Sequence, residues 1–445
     1  MDIAIIGAGL AGLTAAYELA DHTVTVFEAD ERIGGKLHTV PFSAGPVDMG
    51  AEAFLNYRAD AREFFDSLDL PRVYPSQATP AVYALGALQA LPMADTIMGI
   101  PASSEAVAHL VSEETARRID EDREVQWEAG GDRSLGELVA EAYGRDLVTR
   151  LVDPLLGGVY SCLADDLGVR ATVPALAGAL DAQEGPVRLG AAVRAVLDAR
   201  PPRNPDNPIF GTFPGGYKDL YETLAERSGA EIYLGEFITA ITPTASGRYE
   251  VAGREFDRVI LAVPAPTAAA LLRQANPEAA AELAQIRLAS SAVVGFRFAS
   301  DEGLPNNSGI LVATDAGLSA KAFTFSSRKW PHLAAGGGAL VRASFGRFGD
   351  DAITRAEEEE LIDTALADLE TITGFAPDRD TITDIYVQRW FGGLPRYDHE
   401  HLARVERIRG HLESTPHLAA IGAWNGGVGV PDVIAGARAA AARIR

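Results

Sequence analysis

The stretch Asp2-Ile-Ala-Ile-Ile6-Gly7-Ala8-Gly9-Leu10-Ala11-Gly12 decides the fold. Asp2 to Ile6 is a short apolar run rich in β-branched residues, Leu10 to Ala20 has helical spacing, and the glycines fall at the strand-to-helix turn between them. Each glycine answers a separate need. Gly7 permits the tight turn out of the strand, Gly9 lets backbone approach a pyrophosphate with no Cβ in the way, and Gly12 lets the helix press on the sheet. The phosphates of a dinucleotide would then meet a helix start, where free N–H groups and roughly half a positive charge of dipole favour an anion.

Thr23 to Phe27 reads as the next strand, and Glu28 ends it about 20 residues past the first glycine, where a carboxylate can accept from a ribose hydroxyl. A carboxylate there argues against a 2′-phosphate, and so against NADP. A second glycine pair follows in Arg32-Ile-Gly34-Gly35-Lys36. That segment resembles the start of FAD oxidases of the amine-oxidase and protoporphyrinogen-oxidase group, and it tilts the reading from NAD to FAD.

The chain has 445 residues, more than one ordinary domain holds, and 47% of them are hydrophobic, enough to bury sizeable cores. Its net charge of −23 repels phosphate backbones and anionic headgroups, so no nucleic-acid partner is expected and membrane contact is expected to be peripheral at most. Cys162 is the single cysteine, which excludes an intramolecular disulfide. A start directly on a core strand leaves no room for a signal peptide, and the longest apolar candidate for a span, Val259 to Leu272, is broken by Pro264 and Pro266. A soluble cytoplasmic protein is expected.

Further along, Pro46-Val-Asp48-Met-Gly50-Ala51-Glu52 leads into a helix from about Ala59 to Leu68, and Ala81 to Leu91 alternates like paired strands. From Pro101 to Ala199 the pattern is helical, with turns expected at Gly130-Gly131 and Gly157-Gly158, and the proline-rich stretch Pro201 to Pro208 reads as a loop. Gly215-Gly216 opens a helix feeding the strand Glu231 to Leu234, and Phe256 to Val263 is apolar enough for a buried strand. Ser291–Phe298, Ser308–Ala313, Ala320–Ser326 and Ala339–Phe345 suggest a second, mixed sheet; Ile353 to Thr373 reads as an acidic amphipathic helix with a solvated outer face. The tail, Leu418 to Asp432, is a strand, a glycine-rich turn and a helix start with Pro431 and Asp432 in its first turn. Negative charge developing on a flavin's pyrimidine edge would be stabilised there.

Taken together, the chain resembles the protoporphyrinogen and coproporphyrinogen III oxidases, FAD enzymes of haem synthesis in the amine-oxidase-like flavoprotein superfamily. Besides the FAD motif, Asp153-Pro-Leu-Leu-Gly-Gly158-Val-Tyr160 resembles the family's Pro-Leu-x-x-Gly-Val-Tyr block. Arg389-Trp390 through Pro395-Arg396-Tyr397 to His401 resembles its Arg-Trp-x-x-x-x-Pro-x-Tyr-x-x-x-His block, and Gly427-Val-Gly-Val-Pro-Asp432 its closing motif. Two positions depart from the pattern, Cys162 where a small residue is usual and Arg396 where glutamine is common. The segment Gly50 to Arg58 looks like the bacterial soluble form, which is associated with coproporphyrinogen III.

The resemblance implies an α/β fold: a discontinuous Rossmann-like FAD-binding domain (1–70, 206–264 and 385–445), a mixed-sheet substrate domain (71–95 and 265–384) and a helical insert (96–205). It implies FAD held by Gly7, Gly9, Leu10, Ala11, Gly12, Glu28, Ala29, Arg32, Gly35, Lys36, Gly50, Ala51, Glu52, Ile238, Trp424, Gly427, Val428, Gly429 and Val430. Ile238 would meet adenine through its backbone. The implied reaction removes six electrons from a porphyrinogen in three hydride transfers to FAD, with dioxygen as acceptor and three hydrogen peroxide released; coproporphyrin III is the expected product and protoporphyrin IX the alternative. A downstream haem-pathway enzyme is a candidate partner.

The residues offer no Ser/His/Asp arrangement, no HExxH and no paired cysteines, so neither a metal nor a covalent nucleophile is expected. The macrocycle's N–H groups need an acceptor, which the resemblance places at the backbone carbonyl near Gly158; a purely structural glycine turn explains Gly158 equally. Arg58 is the expected partner of a propionate, with Tyr57 beside it, although Asp60 offers Arg58 a surface pairing instead. Two other readings stay open: an amine oxidase or carotenoid desaturase on the same scaffold, and a non-catalytic flavin or haem-pathway binding protein.

Overall fold

The fold is described from a computed structural model over residues 1–201 and 208–445. The greater part of the expected proline-rich loop, 202–207, lies outside these residues. The chain divides into two compact units, the first formed by 1–74, 208–287 and 403–445, the second by 75–201 and 288–402.

In the first unit the opening strand Asp2–Ile6 is the middle of a five-stranded parallel sheet, with Thr23–Phe27 and then Glu231–Tyr233 on one side, Arg258–Leu261 and then Leu418–Ala420 on the other. Four of its five residues are buried, as an unbroken apolar run between two neighbours requires. Parallel pairing needs a crossover, and the helix Leu10–Glu18 supplies it. The chain departs from the opening strand first one way and later the other, so a topological switch point lies at its carboxyl end, the place where such sheets take their ligands. The closing helix Val430–Ile444 packs Val430, Ile434, Ala437, Ala441 and Ile444 into the same core as Leu13, Ala16 and Leu220.

The second unit is built on a seven-stranded sheet. Its order is Ile382–Pro395, Leu288–Phe298, Ala339–Phe345, Ala320–Phe325, Gly309–Val312, Ala81–Ala84, Ala87–Ala90, antiparallel throughout except where Gly309–Val312 runs parallel to Ala81–Ala84. It is therefore mixed, as the alternating segments suggest. The helix Glu358–Thr373 lays Leu361, Ile362, Ala365, Leu369 and Ile372 against Phe296, Phe298 and Phe375 and leaves its acidic face outward. No helix among the described residues is long and apolar enough to cross a membrane.

Four elements differ from their sequence reading. Gly157-Gly158 is not a turn but lies inside the helix Asp153–Tyr160, since a glycine costs a helix only about 1 kcal/mol relative to alanine and tertiary contacts readily repay that. Residues 385–395, expected with the nucleotide unit, belong to the fourteen-residue strand Ile382–Pro395 of the second sheet. Its polar residues mask the alternation, and Leu288–Phe298 supplies the pairing that defines it. Conversely, Ala265–Leu272 and Pro277–Leu283 are helices of the first unit rather than parts of the second.

Candidate cofactor cradle and substrate-side carbonyl

The glycines of the opening turn divide by what a side chain would meet. A Cβ on Gly12 would stand 1.9 Å from the carbonyl oxygen of Gly7, and one on Gly7, where φ is +103°, 2.6 Å from that of Ala262. These two exist for the fold. Gly9 is different: its nearest neighbour would be the Cα of Gly35 at 3.8 Å, so the space over it is open. Beside it, after Leu10, whose N–H faces Gly34 in a short parallel bridge, the N–H groups of Ala11 and Gly12 in the first turn of the helix have no acceptor among the described residues, which is the arrangement that binds an anion.

The second glycine pair serves the same turn. Gly34 donates its N–H to the carbonyl of Ala8 at 2.8 Å, and a Cβ on Gly35, where φ is +57°, would come within 2.9 Å of the Cα of Gly9. Arg32 holds this loop by donating to the carbonyls of Ile33 and Leu37 at 3.2 Å and of Gly35 at 2.6 Å. Its guanidinium is thus a brace. Lys36, exposed, forms no hydrogen bond or ion pair among the described residues and is the cation available there.

Glu28 accepts the N–H of Ala8 on Oε2 at 2.7 Å and that of Asp30 on Oε1 at 2.9 Å. A carboxylate has about four acceptor positions, so two remain for ribose hydroxyls. The backbone around it is stitched to the loop that carries Ile238: Glu28 donates to Tyr233, and Glu236 and Gly235 donate to the carbonyls of Glu28 and Asp30. Ile238 is buried, and neither its N–H nor its carbonyl is taken by another described residue; both are offered, as an adenine edge requires. Ala29 is exposed beside Glu28, and Gly50, Ala51 and Glu52 are half-buried in the same unit. Asp48, just before them, serves the fold, because it accepts the N–H of Tyr217 at 3.0 Å and so caps the turn entering the helix Lys218–Ser228.

At the tail, Gly427 (φ +149°) and Gly429 close over Asp432, whose Cβ would lie 2.6 Å from a Cβ on Gly427. The N–H groups of Val428, Gly429 and Val430 have no acceptor among the described residues. Trp424 is buried beside them, and Arg409 holds the neighbouring Asn425 through its side-chain and main-chain oxygens at 3.0 and 2.8 Å. Every residue expected to hold the cofactor thus falls in the first unit, on loops at the carboxyl ends of its parallel strands, at the starts of two helices or, for Gly50, Ala51 and Glu52, after the antiparallel hairpin of Thr39–Phe42 and Gly45–Asp48.

Arg58, expected to meet a propionate, has two carboxylate partners within its own unit. Its guanidinium is engaged twice, by both oxygens of Asp60 at 3.0 and 2.8 Å and by Asp432 of the closing helix, and these carboxylates raise its pKa further. Three of its five N–H donors are thus engaged, and through Asp432 it braces the closing turn. Tyr57 beside it is exposed.

In the second unit, the helix carrying Gly158 is entered through a π-helical stretch, Val148–Val152, a distortion frequent at functional sites. Gly157 faces inward, while Gly158 is exposed and its carbonyl, in the last turn, has no donor among the described residues. The two sequence blocks of this unit meet: Gly168 donates to the carbonyl of Tyr397 at 2.8 Å, and the rings of Tyr160 and Tyr397 lie 5.7 Å apart. Arg396 sits over Phe348 between Asp166 and Asp398 at 3.7 and 3.6 Å, which gives that departure a structural role. Cys162 is buried, and burial pushes its thiol up to about 12. Sequence reasoning missed Lys321. No periodicity marks it, because a bulge at Lys321 breaks the alternation of the strand that carries the buried Phe323 and Phe325.

The profile of the flavin containing amine oxidoreductase family matches residues 10–445. The chain is 39% identical to a coproporphyrinogen III oxidase of Mycobacterium leprae over 97% of this chain and 96% of the relative, and 25% identical to one of Bacillus subtilis over 98% and 96%. Among solved structures, a protein of Exiguobacterium sp. 255-15, provisionally named a protoporphyrinogen oxidase, superposes with a TM-score of 0.86 at 27% identity, covering 100% of this chain and 98% of that one. Reduced UDP-galactopyranose mutase shares the fold at a TM-score of 0.74 and 15% identity, with 100% of this chain and 95% of that one covered. With a fitting cradle and a family match over nearly its whole length, the chain belongs to the flavin-containing amine oxidoreductases, in the group of the coproporphyrinogen and protoporphyrinogen oxidases, and is an oxidoreductase whose cofactor is FAD.

Proposed function

We propose that this protein oxidises coproporphyrinogen III to coproporphyrin III in haem biosynthesis, in the cytoplasm, with dioxygen as terminal acceptor. The observation that carries the reading is the 39% identity to a coproporphyrinogen III oxidase along 97% of the chain. Six electrons and six protons leave the macrocycle as three pairs, and three dioxygen molecules become three of hydrogen peroxide. FAD, when bound, supplies the acceptor for two electrons at a time, and the protein supplies binding, orientation and field.

The chain's own residues divide this work. The free N–H groups of Ala11 and Gly12, behind Leu10, would hold the pyrophosphate over the open Gly9, with Lys36 as the nearby cation, and Gly7 and Gly35 keep the turn close-packed. Glu28, followed by Ala29, takes a ribose and Ile238 the adenine edge; Gly50, Ala51 and Glu52 line the isoalloxazine side. The unpartnered N–H groups of Val428, Gly429 and Val430 stabilise charge on the flavin's pyrimidine edge, with Gly427 giving the turn and Trp424 its packing. In the second unit the free carbonyl of Gly158 accepts from the substrate's inner N–H groups. Arg58 and Arg32 position loops.

Purified protein, supplied with FAD, is mixed under air with coproporphyrinogen III or protoporphyrinogen IX, and porphyrin fluorescence is followed. Faster turnover of coproporphyrinogen supports the reading. Preference for protoporphyrinogen would reassign the substrate, and bleaching of the flavin by amines but by neither porphyrinogen would remove the reading.

A further inference from the structure

We propose that Lys321 is a positioning residue for this reaction, its ammonium tying the end of the Gly158 helix to the exit of the neighbouring strand and so fixing where the Gly158 carbonyl is presented. The inference rests on the reading of Gly158 as the substrate's acceptor.

The strand Ala320–Phe325 pairs with Ala339–Phe345 at Ala320↔Phe345 and again at Ala322↔Ser344, two steps on one strand against one on the other. Lys321 is the extra residue of this bulge. Bulges redirect a side chain and recur next to active sites. Here the redirected lysine is buried, and its Nζ donates to the hydroxyl of Ser161 at 2.6 Å and to the carbonyl of Gly346 at 2.8 Å. Both acceptors sit at unusual backbone positions. Ser161 ends the Gly158 helix in the left-handed region, with φ +51°, where a side chain is unfavourable; Gly346 follows Phe345 at φ +79°.

Ser161 is held from three sides. Its N–H donates to the carbonyl of Gly157 at 3.1 Å, its carbonyl accepts from Phe348 at 2.7 Å, and its hydroxyl takes Lys321. The last turn of the helix therefore cannot shift without breaking one of these, and the Gly158 carbonyl belongs to that turn.

Burial lowers Lys321 to about 7, helped by the like charge of Arg347 and opposed by Cys162. Those two groups stand in turn beside Asp153 and Asp350, and beside Asp166 and Arg396. Asp368 of the helix packed on the sheet accepts the N–H groups of Ser319 and Ala320 at 3.0 and 2.7 Å, just before the bulge. As pH rises through about 7, the charge-assisted bonds become neutral ones of about half the strength, and the turn loosens.

The test compares wild type with Lys321→Met, Lys321→Arg and Ser161→Gly, which keeps the left-handed turn and removes the hydroxymethyl group that Lys321 bonds. FAD content, kcat and KM for coproporphyrinogen III from pH 5.5 to 9, and hydrogen exchange of the peptide spanning residues 157–162 are measured on the protein as purified. Lys321→Met and Ser161→Gly are expected to bind FAD normally, to lose about tenfold in kcat/KM, to exchange faster in that peptide and to lack the decline of kcat/KM through pH 7; Lys321→Arg restores most of the activity. Activity, pH profile and exchange all unchanged in Ser161→Gly and Lys321→Met would overturn the inference, and Ser161→Gly decides alone where Lys321→Met does not fold. A wild type inert towards both porphyrinogens with normal exchange differences would retain the lock and sink the functional reading instead.

Discussion

A single missing methyl does different work at Gly9 and Gly12. At Gly12 a Cβ would overlap the Gly7 carbonyl at 1.9 Å, so Gly12→Ala should cost about 3 kcal/mol or more in stability, read by urea unfolding. Gly9 has an ordinary φ of −75° and open space above it, so Gly9→Ala should fold within about 0.5 kcal/mol of wild type yet bind FAD at least tenfold more weakly, read by flavin titration. A fold loss at Gly9 would contradict the open cradle. Arg58 allows an equally direct test. Because Asp60 and Asp432 already neutralise it, Arg58→Met should leave KM for coproporphyrinogen within about twofold while weakening FAD retention, since Asp432 beneath the closing turn loses its partner. A large rise in KM alone would restore the propionate role.

Among elements, the helix Asp153–Tyr160 separates fold from function most cleanly. A Cβ on Gly158 would meet only Leu311 Cδ2, at the ordinary distance of 3.8 Å. Gly158→Ala is therefore expected to gain about 0.5–1 kcal/mol of stability from helix propensity and to lose at least tenfold in kcat/KM, because the methyl stands next to the substrate's acceptor. Thermal unfolding and steady-state kinetics check the two halves, and an active, stabilised variant would dissociate Gly158 from substrate. Lys321 carries a pH signature at the same scale. Its folded pKa lies below the ordinary lysine value, so the unfolded chain binds the proton more tightly and wild-type stability should rise from about pH 7 towards 10.5. Lys321→Met should lack that rise, and an identical pH dependence of unfolding in the two proteins would exclude a buried ammonium.

Over the whole molecule, the proposed cradle draws on segments hundreds of residues apart, from Gly7 to Val430, so cofactor binding there would be linked to folding of the entire first unit. FAD at about 100 times its Kd should raise the unfolding free energy by roughly 2.7 kcal/mol; a melting temperature indifferent to added FAD would refute a dinucleotide site at this cradle. The net charge of −23 leaves any anionic substrate to be met by local donors against the overall field. The free N–H groups at two helix starts, which are fixed dipoles rather than mobile charges, are suited to anions in such a field.

The cofactor class was legible in the sequence because its requirements are local. Gly7, Gly9 and Gly12, the acidic end of the second strand and Arg32-x-Gly34-Gly35 act within one strand-turn-helix-strand unit, although the close packing at Gly7 is completed by Ala262. What stayed hidden depends on distant partners. Whether Arg58 is free or paired is decided by Asp432, 374 residues on; whether Ile382–Pro395 is a strand is decided by Leu288–Phe298 beside it. Lys321 becomes a clamp only because a bulge turns it toward Ser161. Local chemistry fixes what a residue can do, and long-range packing, which the order of residues does not spell out, selects which of those possibilities is used.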